Sequence, residues 1–222
     1  MPPARPLPIA DLATVLKERL RRGELQPGQR LVEADLVRET GASRSKVREA
    51  LRQLAAEGLV VIDEFRGASV RRFTQAEAAQ ISRAREALEG LAARLAAETP
   101  LKPLERSHLK KLQADMDDAA RAKQVERYAR LNEAFHAFIL NRAGNAFVTA
   151  FVERLRIPLF RLQFQDGWGG DPMLRRNTDH QKISRAILKG DPDAAEAAMR
   201  AHLRNGSAAM ADIDSRFFGP SD

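Results

Sequence analysis

The chain has no cysteine among its 222 residues. That excludes a disulfide framework and a thiolate metal site. No apolar run approaches the ~18 residues that a membrane span requires. The opening MPPARPLPIA holds no long apolar core and does not read as a secretory signal. Internal repeats and low-complexity stretches are absent, and histidine is scarce at four residues. The expectation is a cytoplasmic protein with no membrane partner.

What is present suits a globular protein. Hydrophobic residues make up 44%, enough for a real core, and the length allows two modest domains. The net charge is +7. Such an excess favours association with nucleic acid, though it says nothing of fold. Up to Phe73 there are 14 Lys/Arg against 10 Asp/Glu, and beyond it 23 against 20. The excess is denser in the first third, where a DNA contact is therefore sought.

From Leu7 to Phe73 the pattern is helix, helix-turn-helix, hairpin. Ile9, Leu12, Val15, Leu16 and Leu20 recur at helical spacing. LQPGQR (25–30) is a turn. A short helix over 33–40 ends at Gly41, and Ser43 caps a third helix over 44–57, closed by Gly58. In 59–73 a β-branched run, a turn containing Gly67 and a short run at 69–71 read as a β-hairpin. This is the layout of a winged helix, expected over 1–73 with a hinge near 71–75.

From Thr74 to the end the period is helical. Six helices are expected, over 75–98, 103–122, 124–142, 145–165, 173–189 and 192–213. Breaks at Pro100/Pro103, 122–124, Gly144-Asn145, GWGGDP (167–172) and GDPD (190–193) suit an antiparallel bundle with short loops over 74–222. The fold class is thus mainly α, a winged helix with a small β wing followed by an all-α bundle.

On the third helix Arg44, Arg48 and Arg52 form a stripe at i, i+4, i+8, with Ser45 and Lys46 beside its start. Val47, Ala50, Leu51 and Leu54 take the other face. An arginine here can fork onto guanine in a major groove, while the helix start favours phosphate. Arg66 and Gly67 lie at the expected wing tip, where a cation can follow the DNA backbone. A solvated basic face would give the same stripe. Its place on the second helix of a helix-turn-helix, before a basic wing, favours DNA.

RGELQPGQRLVEADLVRETGASRSKVREALRQLAAEGLVVI, followed by RGASV, resembles the DNA-binding domain of the GntR superfamily of bacterial transcription regulators. The resemblance implies base and phosphate contacts at Ser43, Arg44, Ser45, Arg48, Arg66 and Gly67. Two positions depart from the family pattern. Ala34 stands where an arginine is frequent, and Lys46 where proline or threonine is common. No operator sequence is inherited through such a resemblance.

Three histidines fall on inward positions of the bundle: His136, His180 and His202. His180 and His202 lie eleven residues either side of Asp191 in the GDPD turn, so both sit ~16 Å from it and an antiparallel hairpin brings them level. Asn132 lies one turn before His136. Two readings stay open: core histidines each satisfied by a hydrogen bond, or a divalent-metal cage of three imidazoles and one amide oxygen. His108, in KPLERSHLKKL, reads as solvated.

The stretch from Thr74 to about Ala209 is similar to the FadR-type effector-binding domain. RAREALEGLAARLAAE, LNEAFHAFILNRAGN and HQKISRAILKGDPDAAEAAMRAHL carry the likeness. In that family an aspartate, a histidine four residues later and two further histidines hold a metal, which implies Asn132, His136, His180 and His202 as ligands. Asn132 replaces the aspartate and offers a neutral carbonyl. Imidazole donors favour zinc or nickel, and a small carboxylic acid effector would supply the anion that Asn132 does not. Arg85 of the R-x-x-L-E segment is a candidate contact for that carboxylate, or else the salt-bridge partner of Glu89. The resulting expectation is a repressor, not an enzyme, that binds a palindromic double-stranded operator as a homodimer. The alternatives are a regulator with a metal-free effector pocket, a histidine-based metalloenzyme, and a nonspecific architectural DNA-binding protein.

Overall fold

In a computed structural model of the chain, residues 12–160, 171–211 and 218–219 are described. The chain divides into two compact units, Met1–Thr74 with Ser215–Asp222, and Gln75–Asp214.

The first unit runs α1 (Leu12–Arg21), β1 (Arg30–Leu31), α2 (Glu33–Thr40), α3 (Arg44–Ala56), β2 (Val60–Asp63) and β3 (Gly67–Val70). Gly41 ends α2 at φ 70°, with its N–H on the Val37 carbonyl. That left-handed turn costs a glycine little, which is why the chain can redirect here. Ser43 then takes an extended backbone and its side chain accepts from Lys46 N, which starts α3. Val47, Leu51 and Leu54 on α3 are buried with Leu16, Leu36 and Val60, so α3 is the centre of this small core.

The wing is a three-stranded antiparallel sheet in the order β1-β3-β2. Ser69 faces Arg30 on one side and Val61 on the other. The expected hairpin is there, but β3 begins at Gly67 rather than at residue 69, and β1 adds a third strand. Two residues are too short to display an alternating pattern, so β1 left no signature. Near the end of the chain the Gly219 N–H donates to the Phe73 carbonyl at 2.9 Å.

The second unit comprises α4 (Gln75–Glu98), α5 (Pro103–Arg121), α6 (Val125–Ala143), α7 (Ala146–Phe160), α8 (Asp171–Lys189) and α9 (Pro192–Ala211). All six expected helices are present among the described residues, with ends shifted by one or two positions. The tail of the fourth beyond 160, most of the GWGGDP loop with Trp168, and the region around Ile9 lie outside the described residues.

Helix α4 packs against α6, α7, α8 and α9. Its buried stripe is small: Ala92, Ala93, Ala96 and Ala97. Small residues let neighbouring helices approach closely, and Gly90 takes this furthest, since a Cβ there would lie 2.8 Å from Arg200 Cγ on α9. The larger core side chains come from the other helices, among them Leu109, Met116, Phe135, Ile139, Ile183 and Met199.

Candidate functional site

Among the described residues, two places gather chemistry-bearing side chains, one in each unit. In the first, Arg44, Arg48 and Arg52 are exposed along α3, opposite buried Val47, Ala50, Leu51 and Leu54. Ser45 and Lys46 are exposed at the helix start, where Ser43 Oγ and Ser45 Oγ lie 2.9 Å apart. Arg48 is not loose. Its Nε donates to both carboxylate oxygens of Glu33 on α2, each at 2.9 Å. A groove between α3 and the sheet is lined by Arg30, Glu33, Arg48, Arg52, Ile62 and Gly67.

Arg66 occupies the turn between β2 and β3. Asp63 shapes that turn by accepting the N–H groups of Phe65 and Arg66, both at 2.9 Å. These backbone donors hold its carboxyl below the ordinary carboxylate value.

In the second unit the bundle buries polar groups it would otherwise exclude. One ring nitrogen from each of His136, His180 and His202 lies within 4.8 Å of the other two. The rings of His180 and His202 are 4.2 Å apart between centroids, and those of His136 and His202 are 5.4 Å apart. Three helices supply them: α6, α8 and α9. Asn132 is buried one turn before His136 on the same face of α6. His108 is exposed and stands beside Phe138, apart from this cluster.

Two of the three histidines, His136 and His180, are oriented from outside the cluster. Glu89 Oε2 lies 2.7 Å from His136 Nδ1, and Glu89 Oε1 receives Arg85 Nε at 2.8 Å. Tyr128 Oη lies 3.1 Å from His180 Nδ1. The backbone of Arg176, one turn before His180, also hydrogen-bonds that ring. Carboxylate and hydroxyl partners of this kind fix the tautomer and aim the other nitrogen.

Four donor atoms are then left over. Asn132 Oδ1, His180 Nε2, and both ring nitrogens of His202 are buried with no hydrogen-bond partner among the described residues. A buried polar atom left unsatisfied costs about 1–3 kcal/mol, so such a concentration calls for a ligand. Neutral imidazole and amide oxygen are donors a divalent transition metal accepts, so the residues present fit one.

The electrostatics match that chemistry. Burial lowers the pKa of His136, and the opposing pull of Glu89 does not restore it. Burial first, then a neighbouring histidine (His136 for His180, His180 for His202) and Arg176 hold both rings well below the ordinary value. All three are neutral with lone pairs to offer. Burial alone would raise Glu89, but Arg85 and then His136 outweigh it and keep the carboxyl ionised. Burial lowers Arg176 to about 10, partly opposed by Tyr128 and Asp179, so it stays charged at neutral pH.

Sequence reasoning brought the three histidines and Asn132 to this place, and Arg85 to its edge. It missed Glu89 as the support of His136, and it missed Tyr128 and Arg176. The available signal was spacing. Tyr128, Asn132 and His136 stand at i, i+4 and i+8, and Arg176 stands four before His180. Gly206, one turn after His202, makes room for Arg176: a Cβ there would lie 2.6 Å from Arg176 Nη1.

Comparison with known proteins assigns both units. Residues 8–70 match the bacterial regulatory proteins of the gntR family, and residues 80–205 match the FCD domain. An uncharacterised HTH-type transcriptional regulator from an unstable DNA locus of Streptomyces ambofaciens is 31% identical over 199 residues, covering 87% of this chain and 81% of that protein. The HTH-type transcriptional repressor RspR of Escherichia coli K12 is 29% identical, covering 85% of this chain and 82% of that protein. Among solved structures, Escherichia coli McbR/YncC superposes with a TM-score of 0.79 at 21% identity, covering 90% of this chain and 94% of that one, a likeness of fold. With the winged helix and the helical bundle both accounted for, the chain belongs to the GntR family of bacterial transcriptional regulators, in the branch that joins a GntR DNA-binding domain to an FCD domain.

Proposed function

We propose that the protein is a one-component switch, in which a metal and a small carboxylate held by the bundle set the affinity of the winged helix for an operator. The observation that carries this reading is the set of buried donor atoms without partners: Asn132 Oδ1, His180 Nε2 and the ring nitrogens of His202. With His136 they form the ligand set, and zinc or nickel suits imidazole-rich donors. The metal, when bound, supplies a Lewis-acidic positive charge in the bundle. Glu89 and Tyr128 hold His136 and His180 in register for it. Arg176 places further positive charge beside it, which favours an anionic effector, while the charge of Arg85 is met by Glu89.

On the DNA side, α3 enters the major groove. Arg44, Arg48 and Arg52 meet phosphates and guanine edges, Ser43, Ser45 and Lys46 anchor the helix start, and Arg66-Gly67 follows the backbone from the wing. A homodimer reading a palindrome doubles the contacted sequence. Occupation of the bundle shifts operator affinity by a coupling typically worth 1–3 kcal/mol. Hydrolysis at the cluster fits less well. Glu89, its neighbouring carboxylate, is engaged by Arg85 and His136 and kept ionised with a depressed pKa, so it is a poor general base.

The test is a selection of duplexes from a random library, followed by fluorescence anisotropy of the selected site with metal, chelator and carboxylates added in turn. A two-fold symmetric consensus whose affinity responds to metal and carboxylate supports the reading. Binding indifferent to sequence, or indifferent to both ligands, contradicts it.

A further inference from the structure

We infer that the cluster takes its metal and a carboxylate anion as one unit, with Asn132 making metal retention depend on the anion. This rests on the metal reading above and adds to it a condition on when metal binds.

The donor set carries no charge: three imidazoles and one amide. The carboxylate beside it, Glu89, gives one oxygen to Arg85 and the other to His136. Its charge is therefore already spent on a buried guanidinium 2.8 Å away. Arg156 bears on His136, and Arg176 on His180 and His202, as positive charges. A divalent ion placed among these groups meets cations on several sides and, among the described residues, no uncommitted anion. In a buried site charges interact far more strongly than in water, so an ion with no compensating ligand is held weakly. One carboxylate oxygen on the metal changes the balance at once.

The second carboxylate oxygen can then turn to a guanidinium. Arg176 is buried one turn before His180, in the groove that Gly206 leaves open. An acidic residue in place of Asn132 would supply the charge from within and remove the dependence. Linkage makes the effect mutual: whatever factor the anion adds to metal affinity, the metal adds to anion affinity.

The experiment uses full-length, tag-free protein stripped of metal. Cobalt(II) is titrated by equilibrium dialysis, and coordination is followed by the visible d–d spectrum. Perchlorate is the background anion, and acetate and glycolate are the probes. For the wild type, apparent cobalt affinity should rise about tenfold or more on adding either carboxylate, within the usual range of coupling. The spectrum should change at the same point. Asn132→Asp should bind cobalt tightly in perchlorate alone and gain less than about threefold from the carboxylates.

Stoichiometric cobalt uptake by the wild type that is lost in His136→Ala but unchanged by carboxylate overturns the coupling and leaves the metal site standing. Folded wild type that takes up no cobalt under any of these conditions overturns both. The wild-type comparison needs no variant, so the inference stays testable if Asn132→Asp does not fold.

Discussion

Glu89 is shared between two side chains: its Oε2 lies 2.7 Å from His136 Nδ1 while its Oε1 holds Arg85 at 2.8 Å. All three are buried, so none can turn to water instead. Removing the carboxylate leaves Arg85 as an unpaired buried cation, a defect worth about 3–5 kcal/mol. Glu89→Leu should therefore lower unfolding free energy by about that amount in urea. Glu89→Gln keeps the shape but not the charge, and should lower metal affinity by roughly 10- to 100-fold, read by calorimetry. An unaltered metal affinity in Glu89→Gln would show that His136 needs no carboxylate behind it.

Arg48 is held by Glu33 through Nε, which leaves the far edge of the guanidinium facing away from α2. The pair is largely exposed and adds little to stability, about 0–1 kcal/mol. Its value lies in aim. Arg48→Ala should cost about 1–3 kcal/mol of operator affinity and relax base preference at one position of each half-site. Glu33→Gln should tighten nonspecific binding and weaken discrimination between sites, measured by anisotropy on matched and scrambled duplexes. Equal losses on both duplexes in Arg48→Ala would assign it to phosphate alone.

The wing turn depends on Asp63. With Asp63→Ala the amides of Phe65 and Arg66 should exchange with deuterium faster, while Asp63→Asn should retain much of the protection. Acid should act in the same direction. The folded-state pKa lies below the ordinary 3.8, so the contribution of the turn is complete above 3.8 and is lost as pH falls through the folded value. Protection at Phe65 and Arg66 that does not change in Asp63→Ala would rule out this role.

Much of this was legible in the sequence, for physical reasons that differ by element. The bundle helices are long and periodic, with Pro and Gly at their breaks, so α4, α5 and α9 start where the pattern places them. The GDPD turn put His180 and His202 level, and their rings meet at 4.2 Å. Strand β1 had no such pattern, because two residues cannot alternate. The support around the cluster was also hidden. Glu89 reads from spacing as the i+4 partner of Arg85, and it is that, but its second oxygen depends on the phase between α4 and α6. Arg176 stands one turn before His180 on α8, a spacing open to view, whereas Tyr128 reaches His180 only through the phase between α6 and α8.

Gly206 tests the placement of Arg176. A methyl there would fall 2.6 Å from Arg176 Nη1, too close to coexist without displacement. Because the obstacle is a flexible side-chain end, Gly206→Ala should fold. It should lower affinity for a carboxylate effector by about tenfold, in line with loss of one charge-assisted contact, with metal uptake altered much less. The readout is calorimetric titration of the metal-loaded protein with glycolate. Undiminished glycolate affinity would remove Arg176 from the effector site.

The most direct test of the account is metal content by elemental analysis, on protein purified without affinity tag or chelator and with a carboxylate present throughout. Wild type is compared with His136→Ala, His180→Ala and His202→Ala, each checked for folding by circular dichroism. The account predicts close to one equivalent of zinc or nickel per wild-type chain, lost in every folded variant. Wild-type protein that stays metal-free even after zinc and nickel are supplied with carboxylate would contradict it, and would leave the three histidines as a buried polar knot in the bundle.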